Sequence, residues 1–210
     1  MILAIDVSAH LGLVSLALAD GRVLTRHADR PREHLEFLGR TLSALRAEAG
    51  LADWSALERV AVALGPGSFT GLRVGLATAK GLVFGRETPV ATLDSLAVPR
   101  LAADPALAGE RVVCRRARAD EFWAAHFAAG RARPDEEALL TAEELDARWP
   151  GLARLGDAPG ADPEPDAEAQ LVALTRLARE SETLVRGLEL DRLQPRYLLA
   201  PAITPPREGA

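Results

Sequence analysis

Gly65-Pro66-Gly67-Ser68-Phe69-Thr70-Gly71-Leu72-Arg73 lies between an apolar run, Leu57 to Leu64, and a helical pattern that reaches about Gly85. Strand, glycine-rich break and helix in this order are the working unit of an α/β protein. Ser68 or Thr70 offers a hydroxyl to cap the helix. Glycines let backbones approach closely and adopt positive φ, and free amides at a helix N-terminus attract anions. Two readings stand side by side: a phosphate-cradling turn, or a tight strand-to-helix connection with a hydroxyl cap. The stretch lacks the Gly-Lys-Ser/Thr ending of a P-loop and is not G-x-G-x-x-G.

Upstream, Ile2 to Val7 is a short branched apolar run that predicts a buried strand. Leu11 to Ala19 predicts a second strand, and Ala19-Asp20-Gly21-Arg22 a hairpin turn, because Asp-Gly tolerates positive φ. Arg22 to His27 returns as a third. Pro31 suits the first residue of a helix whose face is Leu35, Leu38, Leu42 and Leu45, with Gly50 as the C′ residue. Downstream, Pro89 to Thr92 predicts a strand, and Asp94-Ser95 starts another helix. The order is three strands, helix, strand, helix, strand, helix.

The second half is a weaker version of this pattern. Residues 1–103 carry net charge +1 and residues 104–210 net −6, which places a boundary near Ala103-Asp104-Pro105. The expected domains are therefore 1–104 and 105–210. Arg111 to Ala117 and Glu121 to Ala128 form a candidate hairpin, Leu171, Leu174, Leu177 and Ala178 mark a late helix, and the proline-rich stretch from Asp157 to Asp166 is a loop. The tail after Pro201 is expected to fray.

Composition narrows the function. With 210 residues, 48% apolar and 26% charged, the chain has the ordinary globular balance. A net charge of −5 argues against a protein that coats nucleic acid by bulk electrostatics. Lys80 is the single lysine, which reflects codon bias. Cys114 is the only cysteine, flanked by valines in a strand-like run, so it is expected to be a buried, inert thiol. The N-terminus has no signal-peptide pattern, and no apolar run approaches the ~20 residues of a membrane span. The expectation is a soluble, cytoplasmic protein that meets no membrane.

Few residues invite chemistry. Asp6, at the end of the first strand, is either a magnesium or water-orienting carboxylate or a turn cap, and Ser8 is a candidate phosphate contact. The histidines show no HxxxH or HExxH spacing, no serine sits in a G-x-S-x-G elbow, and the tryptophans form no stacking platform among basic residues. The helix after Gly65 is apolar along two lines: Val74, Ala77 and Gly81 on one, Leu72, Leu76, Ala79 and Val83 on the other. That predicts burial on both sides, one against the sheet and one against something else. A basic-acidic start, Arg32-Glu33-His34, reads as a solvated first turn.

Taken together, Ile2-Leu3-Ala4-Ile5-Asp6-Val7-Ser8, Pro31-Arg32-Glu33-His34, Gly65 to Arg73, Ala77-Thr78-Ala79-Lys80-Gly81-Leu82 and Arg196-Tyr197-Leu198 resemble the TsaB family. Its members are dimerisation subunits of the bacterial complex that forms threonylcarbamoyladenosine in tRNA. The resemblance is strong over residues 1–100. It implies an actin/Hsp70/sugar-kinase-like α/β fold with two related β-sheet domains, the second degenerate. It also implies a non-catalytic scaffold that docks a TsaD-like catalytic subunit through its N-terminal helices, with a TsaE-like ATPase joining them. Such a chain is expected to form a homodimer when alone and to meet tRNA only through the complex. ATP and a divalent metal would belong to the complex, with no cofactor bound by this chain alone and no metal residues in it.

The resemblance and the doubly apolar helix together nominate His34, Leu38, Leu42, Leu72, Arg73, Leu76, Ala79, Lys80 and Val83 for the partner or dimer surface. Asp6, Ser8, Gly65, Gly67 and Ser68 are the nucleotide or phosphate candidates. The chain departs from the family pattern at Val7, at His10-Leu11, and at Arg116-Ala117-Arg118, where many members carry Asp-Ala-Arg. Asp6 is followed by no glycine until Gly12, unlike the phosphate hairpin of kinases of this fold. A stand-alone ATP-dependent phosphotransferase is the alternative reading. A peptidase finds no metal or nucleophile constellation.

Overall fold

The structure, a computed structural model, describes residues 1–29 and 34–197, without the side chains of His34 and Leu35. The expected helix start at Pro31 and the tail after Pro201 lie outside the described residues. Three strands open the chain: β1 (Ile2–Asp6), β2 (Gly12–Ala17) and β3 (Val23–Ala28). They form an antiparallel meander, and Gly21 takes φ +91° in the expected hairpin turn. Helix α1 (His34–Glu48) follows, and Gly50 ends it at φ +69°. Then come β4 (Arg59–Ala63), α2 (Phe69–Val83), β5 (Val90–Leu93) and α3 (Ala97–Ala103). Strand β4 runs parallel to β1, and β5 parallel to β4.

The second half supplies β6 (Arg111–Arg118), β7 (Glu121–Phe127), β8 (Glu136–Thr141), α4 (Ala142–Arg148) and β9 (Arg154–Gly156). Its four-stranded sheet has the order β8-β7-β6-β9. The first sheet contains β3-β2-β1-β4 in the same arrangement. In both, an antiparallel meander is followed by a helix and a strand parallel to the first. The second unit is thus a shorter copy of the first.

Side chains explain the layering. Alternation sends Leu3, Ile5, Val60 and Val62 to one face of the first sheet, where they meet Leu38 and Leu45 of α1 and Leu76, Ala79 and Val83 of α2. The other face carries Ala4, Ala61 and Ala91, which stand in one row across β1, β4 and β5. That row of methyl groups lets α5 (Ala167–Glu180) lie close, with Leu171, Ala173, Leu174 and Ala178 against it. Helix α3 packs against α5 and, through Leu96 and Ala97, against Val113, Ala125, Phe127 and Leu155 of the second sheet. It is the layer the two sheets share.

The boundary near residue 105 separates the sheets but not the chain. After the second sheet the chain returns to the first. Helix α5 covers it, β10 (Leu184–Val185) pairs with β5, and α6 (Gly187–Arg192) leads to Leu190 and Leu193, which pack on the core of α1 and α2. The reason is burial: the alanine row would otherwise face water. The completed first sheet has the order β10-β5-β4-β1-β2-β3.

Candidate functional site

The Gly65–Arg73 stretch is a strand-to-helix turn built to fit its neighbours. Ser68 caps α2, its hydroxyl accepting from Gly71 N at 3.3 Å. The amide of Ser68 donates to Ser8 O at 2.7 Å, and that of Gly65 to Ser95 Oγ at 3.0 Å. The glycines are needed for closeness: a Cβ on Gly67 would run into the carbonyl oxygen of Ser8, and one on Gly71 into that of Val7. Gly65, at φ +118°, faces Ser95 and the backbone of Arg196. Gly65, Ser68 and Gly71 therefore spend their amides inside the protein. The tight-connection reading describes Gly65, Ser68 and Gly71.

Asp6 and Ser8 meet a cation from the other sheet. Asp6 is buried and accepts from Ser8 N at 2.9 Å, the local turn cap of an aspartate. Burial pushes its carboxyl up, while Arg115 and the Ser8 bonds pull the other way. Arg115 rises from β6 with 6% exposure. Its Nη1 donates to Ser8 Oγ at 3.4 Å, and its Nε and Nη2 hold Glu164 Oε1 and Oε2 at 2.7 and 3.2 Å. Gln170 of α5 donates to Pro165 O at 2.8 Å and to Glu164 Oε2 at 3.4 Å. Burial works against the charge on Glu164, but the guanidinium outweighs it and holds the carboxyl below its usual range. An internal ion pair thus stands where the two sheets converge on β1, beside a cavity of about 450 Å³ lined by His10, His27, Asp157, Glu164 and Gln170.

Glu164 is, among the described residues, the carboxyl group that bears on Asp6, and Arg115 already engages it. Among the described residues, no group of three or more His, Cys, Asp or Glu is placed to hold a metal ion. A fixed guanidinium beside Asp6 would repel a divalent cation. Sequence reasoning missed Arg115. The resemblance pointed to this hairpin as a departure from the family, but at Arg116, which instead lies outside, its Cζ 4.9 Å from the Phe122 ring.

Helix α2 is decided by the sheet. Leu72, Leu76, Ala79 and Val83 are 1%, 5%, 0% and 2% exposed, and Leu38 of α1 is 1% exposed. These five surface candidates are core residues, because this line of α2 is the one that lies on β1 and β4. Leu42 is half-buried beside them. Lys80 bonds the carbonyls of Asp191 and Leu193 at 3.2 and 3.0 Å, tying α6 down. Of the nominated residues only Arg73 is exposed, His34 lying outside the described side chains. The free line is Thr70, Arg73, Ala77 and Gly81, continued by Phe84 at 87% exposure. A Cβ on Gly81 would touch nothing within 4 Å.

At the start of that line stands a cluster with no local sign in the residue pattern. The Arg73 guanidinium lies 3.7 Å over the Phe69 ring and donates to Tyr197 Oη at 3.0 Å, and the two rings are 5.0 Å apart. Only the likeness of Arg196-Tyr197-Leu198 to a family ending marked this segment.

Two sheets of one topology, meeting at the ends of β1 and β6, define a protein of the actin/Hsp70/sugar-kinase class. The family model described as TsaD: tRNA N6-adenosine threonylcarbamoyltransferase matches residues 28–152. The chain is 37% identical over 97 residues to the tRNA threonylcarbamoyladenosine biosynthesis protein TsaB of Escherichia coli, covering 45% of this chain and 40% of that protein. It is 31% identical over 135 residues to the Haemophilus influenzae TsaB, covering 64% of this chain and 56% of that one. The alignments thus span about half the length of these curated relatives. Among solved structures, YeaZ from Pseudomonas aeruginosa superposes with TM-score 0.74 at 26% identity, over 94% of this chain and 99% of that one. The chain belongs to the TsaD family, on the side of it that carries the TsaB name.

Proposed function

We propose that the chain serves tRNA threonylcarbamoyladenosine biosynthesis as a non-catalytic subunit that docks a TsaD-like catalytic subunit on the free face of α2. The observation that carries this reading is the line Ala77, Gly81 and Phe84: small residues that admit a close helix, ending in an exposed aromatic ring. Arg73 at its other end is held in place by Phe69 and Tyr197. Small side chains permit helix axes to approach closely, and a rigid aromatic anchors an interface. The Arg115 guanidinium beside Asp6 supports the non-catalytic half of the reading, since it would repel a divalent cation there. A self-complementary helix face also suits a homodimer when the partner is absent. A TsaE-like ATPase as third component, contact with tRNA only through the complex, and a cytoplasmic location complete the proposal. No helix among the described residues is long and apolar enough to cross a membrane.

The experiment is light scattering on a size-exclusion column, with the chain alone and then mixed with the TsaD-like protein of the same organism. A dimer that gives way to a mixed complex is expected, and Ala77→Glu is expected to abolish both. A chain indifferent to that partner, or an Ala77→Glu variant that still binds it, overturns the proposal. Tight binding of magnesium-ATP by the lone chain, lost in Asp6→Ala, would favour the phosphotransferase instead.

A further inference from the structure

Arg73 is an exposed side chain whose guanidinium the fold holds still. Phe69 and Arg73 stand one turn apart on α2, on one face of the helix. The guanidinium carbon lies 3.7 Å over the Phe69 ring and 5.8 Å from the Tyr197 ring, and Nε donates to Tyr197 Oη at 3.0 Å. Stacking fixes the plane of the guanidinium, and the bond from Nε fixes its rotation within that plane. A surface arginine ordinarily loses rotamer freedom when it binds; here that freedom is already gone.

Tyr197 reaches this place because the chain after α6 is fastened one residue earlier. The amide of Arg196 donates to Leu64 O at 2.7 Å and its Nη2 to Gly65 O at 2.6 Å, so the segment crosses the turn before α2. Arg196 Nη1 also donates to Glu137 Oε2 on β8 at 2.8 Å. Phe69, Arg73 and Tyr197, distant in sequence, thus build one small platform.

The platform leaves the outer edge of the guanidinium over. Among the described residues, Tyr197 is the hydrogen-bond partner of Arg73, through Nε, and Nη1 and Nη2 have no acceptor. No acidic side chain stands in the first turn of α2. Two N–H groups in a fork match the two oxygens of a carboxylate or of a phosphate. The neighbouring residues choose between them. Ala77, Gly81 and Phe84 continue the same line without charge, and the ammonium of Lys80 is spent on the carbonyls of Asp191 and Leu193. A phosphate backbone is held by several cations at once, and this line offers one. A single fork beside small apolar residues suits a protein helix that carries one carboxylate.

We propose that Arg73 is the specificity-determining contact of the α2 face: its Nη1 and Nη2 take a carboxylate of an aspartate or glutamate on the partner subunit, and Phe69 and Tyr197 are the positioning residues that aim it. This rests on the docking proposed above and adds the charge the partner must bring. It also ranks the two associations. In an isologous pairing of two α2 faces each line meets its own copy, and Thr70, Arg73, Ala77, Gly81 and Phe84 include no acid, so Arg73 goes unmet in the homodimer. The mixed complex satisfies it, and for that reason displaces the homodimer.

The test is calorimetric titration of the full chain with the TsaD-like protein of the same organism, both freed of RNA, beside sedimentation equilibrium of the chain alone. Arg73→Met is expected to weaken the mixed complex roughly tenfold to a hundredfold, and to leave self-association unchanged. Arg73→Lys keeps the charge without the fork and is expected to recover only part of the loss. Tyr197→Phe keeps the ring but releases Nε, so a smaller loss is expected, again in the mixed complex alone. One aspartate or glutamate of the partner is expected to couple to Arg73: neutralising it weakens the wild-type complex and adds nothing in Arg73→Met. Ala77→Glu is the control on docking itself. If Ala77→Glu still binds, docking on α2 falls and this inference with it. If Ala77→Glu fails to bind while Arg73→Met binds as the wild type does, this inference alone is overturned. Equal weakening of both associations by Arg73→Met overturns it, as does the absence of a coupled carboxylate. A loss confined to tRNA retention by the assembled complex overturns it too, and assigns the fork to phosphate.

Discussion

Arg115 and Glu164 form a bidentate ion pair, Nε to Oε1 at 2.7 Å and Nη2 to Oε2 at 3.2 Å, with side chains only 7% and 13% exposed. The pair occupies the junction of the two sheets, and Ser8 of the first sheet closes on it from the other side. A buried pair adds little when measured against a well-packed apolar replacement, but removing one member strands the other.

Arg115→Leu is therefore expected to destabilise the chain by about 3–5 kcal/mol, since Glu164 stays buried without its cation. Arg115→Leu combined with Glu164→Leu is expected to recover most of that loss, measured by urea unfolding of both variants. The pH dependence separates the wild type from both variants. Glu164 is held below its usual range when folded, so its stabilisation is present above the unfolded value near ~4.3 and is lost as pH falls through the folded one. The wild type is expected to lose stability on acidification there. Both variants are expected to lose this contribution.

Two alanines two residues apart on α2 separate docking from folding. Ala77→Glu places a charge on the free face and is expected to change stability by no more than about 0.5 kcal/mol while preventing association. Ala79 is 0% exposed, so Ala79→Glu buries a charge against the first sheet and is expected to unfold the chain. Thermal melts read by circular dichroism, beside light scattering, distinguish the outcomes.

Glycines at the two ends of α2 have opposite roles. Gly71→Ala drives a methyl group into the Val7 carbonyl oxygen and is expected to cost about 1–3 kcal/mol or more. Gly81→Ala meets nothing within 4 Å and removes backbone freedom from the unfolded chain, so a gain of about 0.4–1 kcal/mol is expected. Denaturant midpoints test both. Association should weaken in Gly81→Ala even as stability rises.

Cys114 lies fully buried in β6, and burial pushes its thiol up to about 12. The thiolate is the reactive form, so the native chain is expected to resist alkylation at pH 8 and to be labelled fully once unfolded in urea. Rapid labelling of the native chain would place Cys114 nearer the surface.

The first half was legible because each element is a short apolar run closed by turn chemistry. Asp20-Gly21 turns the hairpin at positive φ, Gly50 stops α1, and Ser68 caps α2. In the second half the signals thin. Strand β8, Glu136 to Thr141, is half-buried along its whole length and begins with two glutamates, so no alternation marks it. Its helix did carry a signal: Thr141 and Glu144 form a capping box at the start of α4.

Faces and destinations were harder to read than elements. Both lines of α2 are apolar, and periodicity cannot choose between them; contact with Ile5, Val60 and Val62 does. Leu171, Leu174 and Ala178 announced a helix but not that it crosses back to the first sheet. Arg115 stands in a run of arginines that has the look of a solvated face. Only the register of β6 turns this one inward, beneath Glu164.

The return of α5 and β10 also bears on how the chain is made. Leu184 pairs with Ala91, and Val185 with Val90, across more than ninety intervening residues. During vectorial synthesis the row of Ala4, Ala61 and Ala91 leaves the ribosome long before the helix that covers it, and β5 waits as a bare edge for β10. Contacts so distant close late and slowly. The nascent N-terminal half must therefore pass through a stage with one sheet face exposed to whatever holdase is near, and a message truncated before residue 167 would yield a product for the protease rather than a smaller working domain.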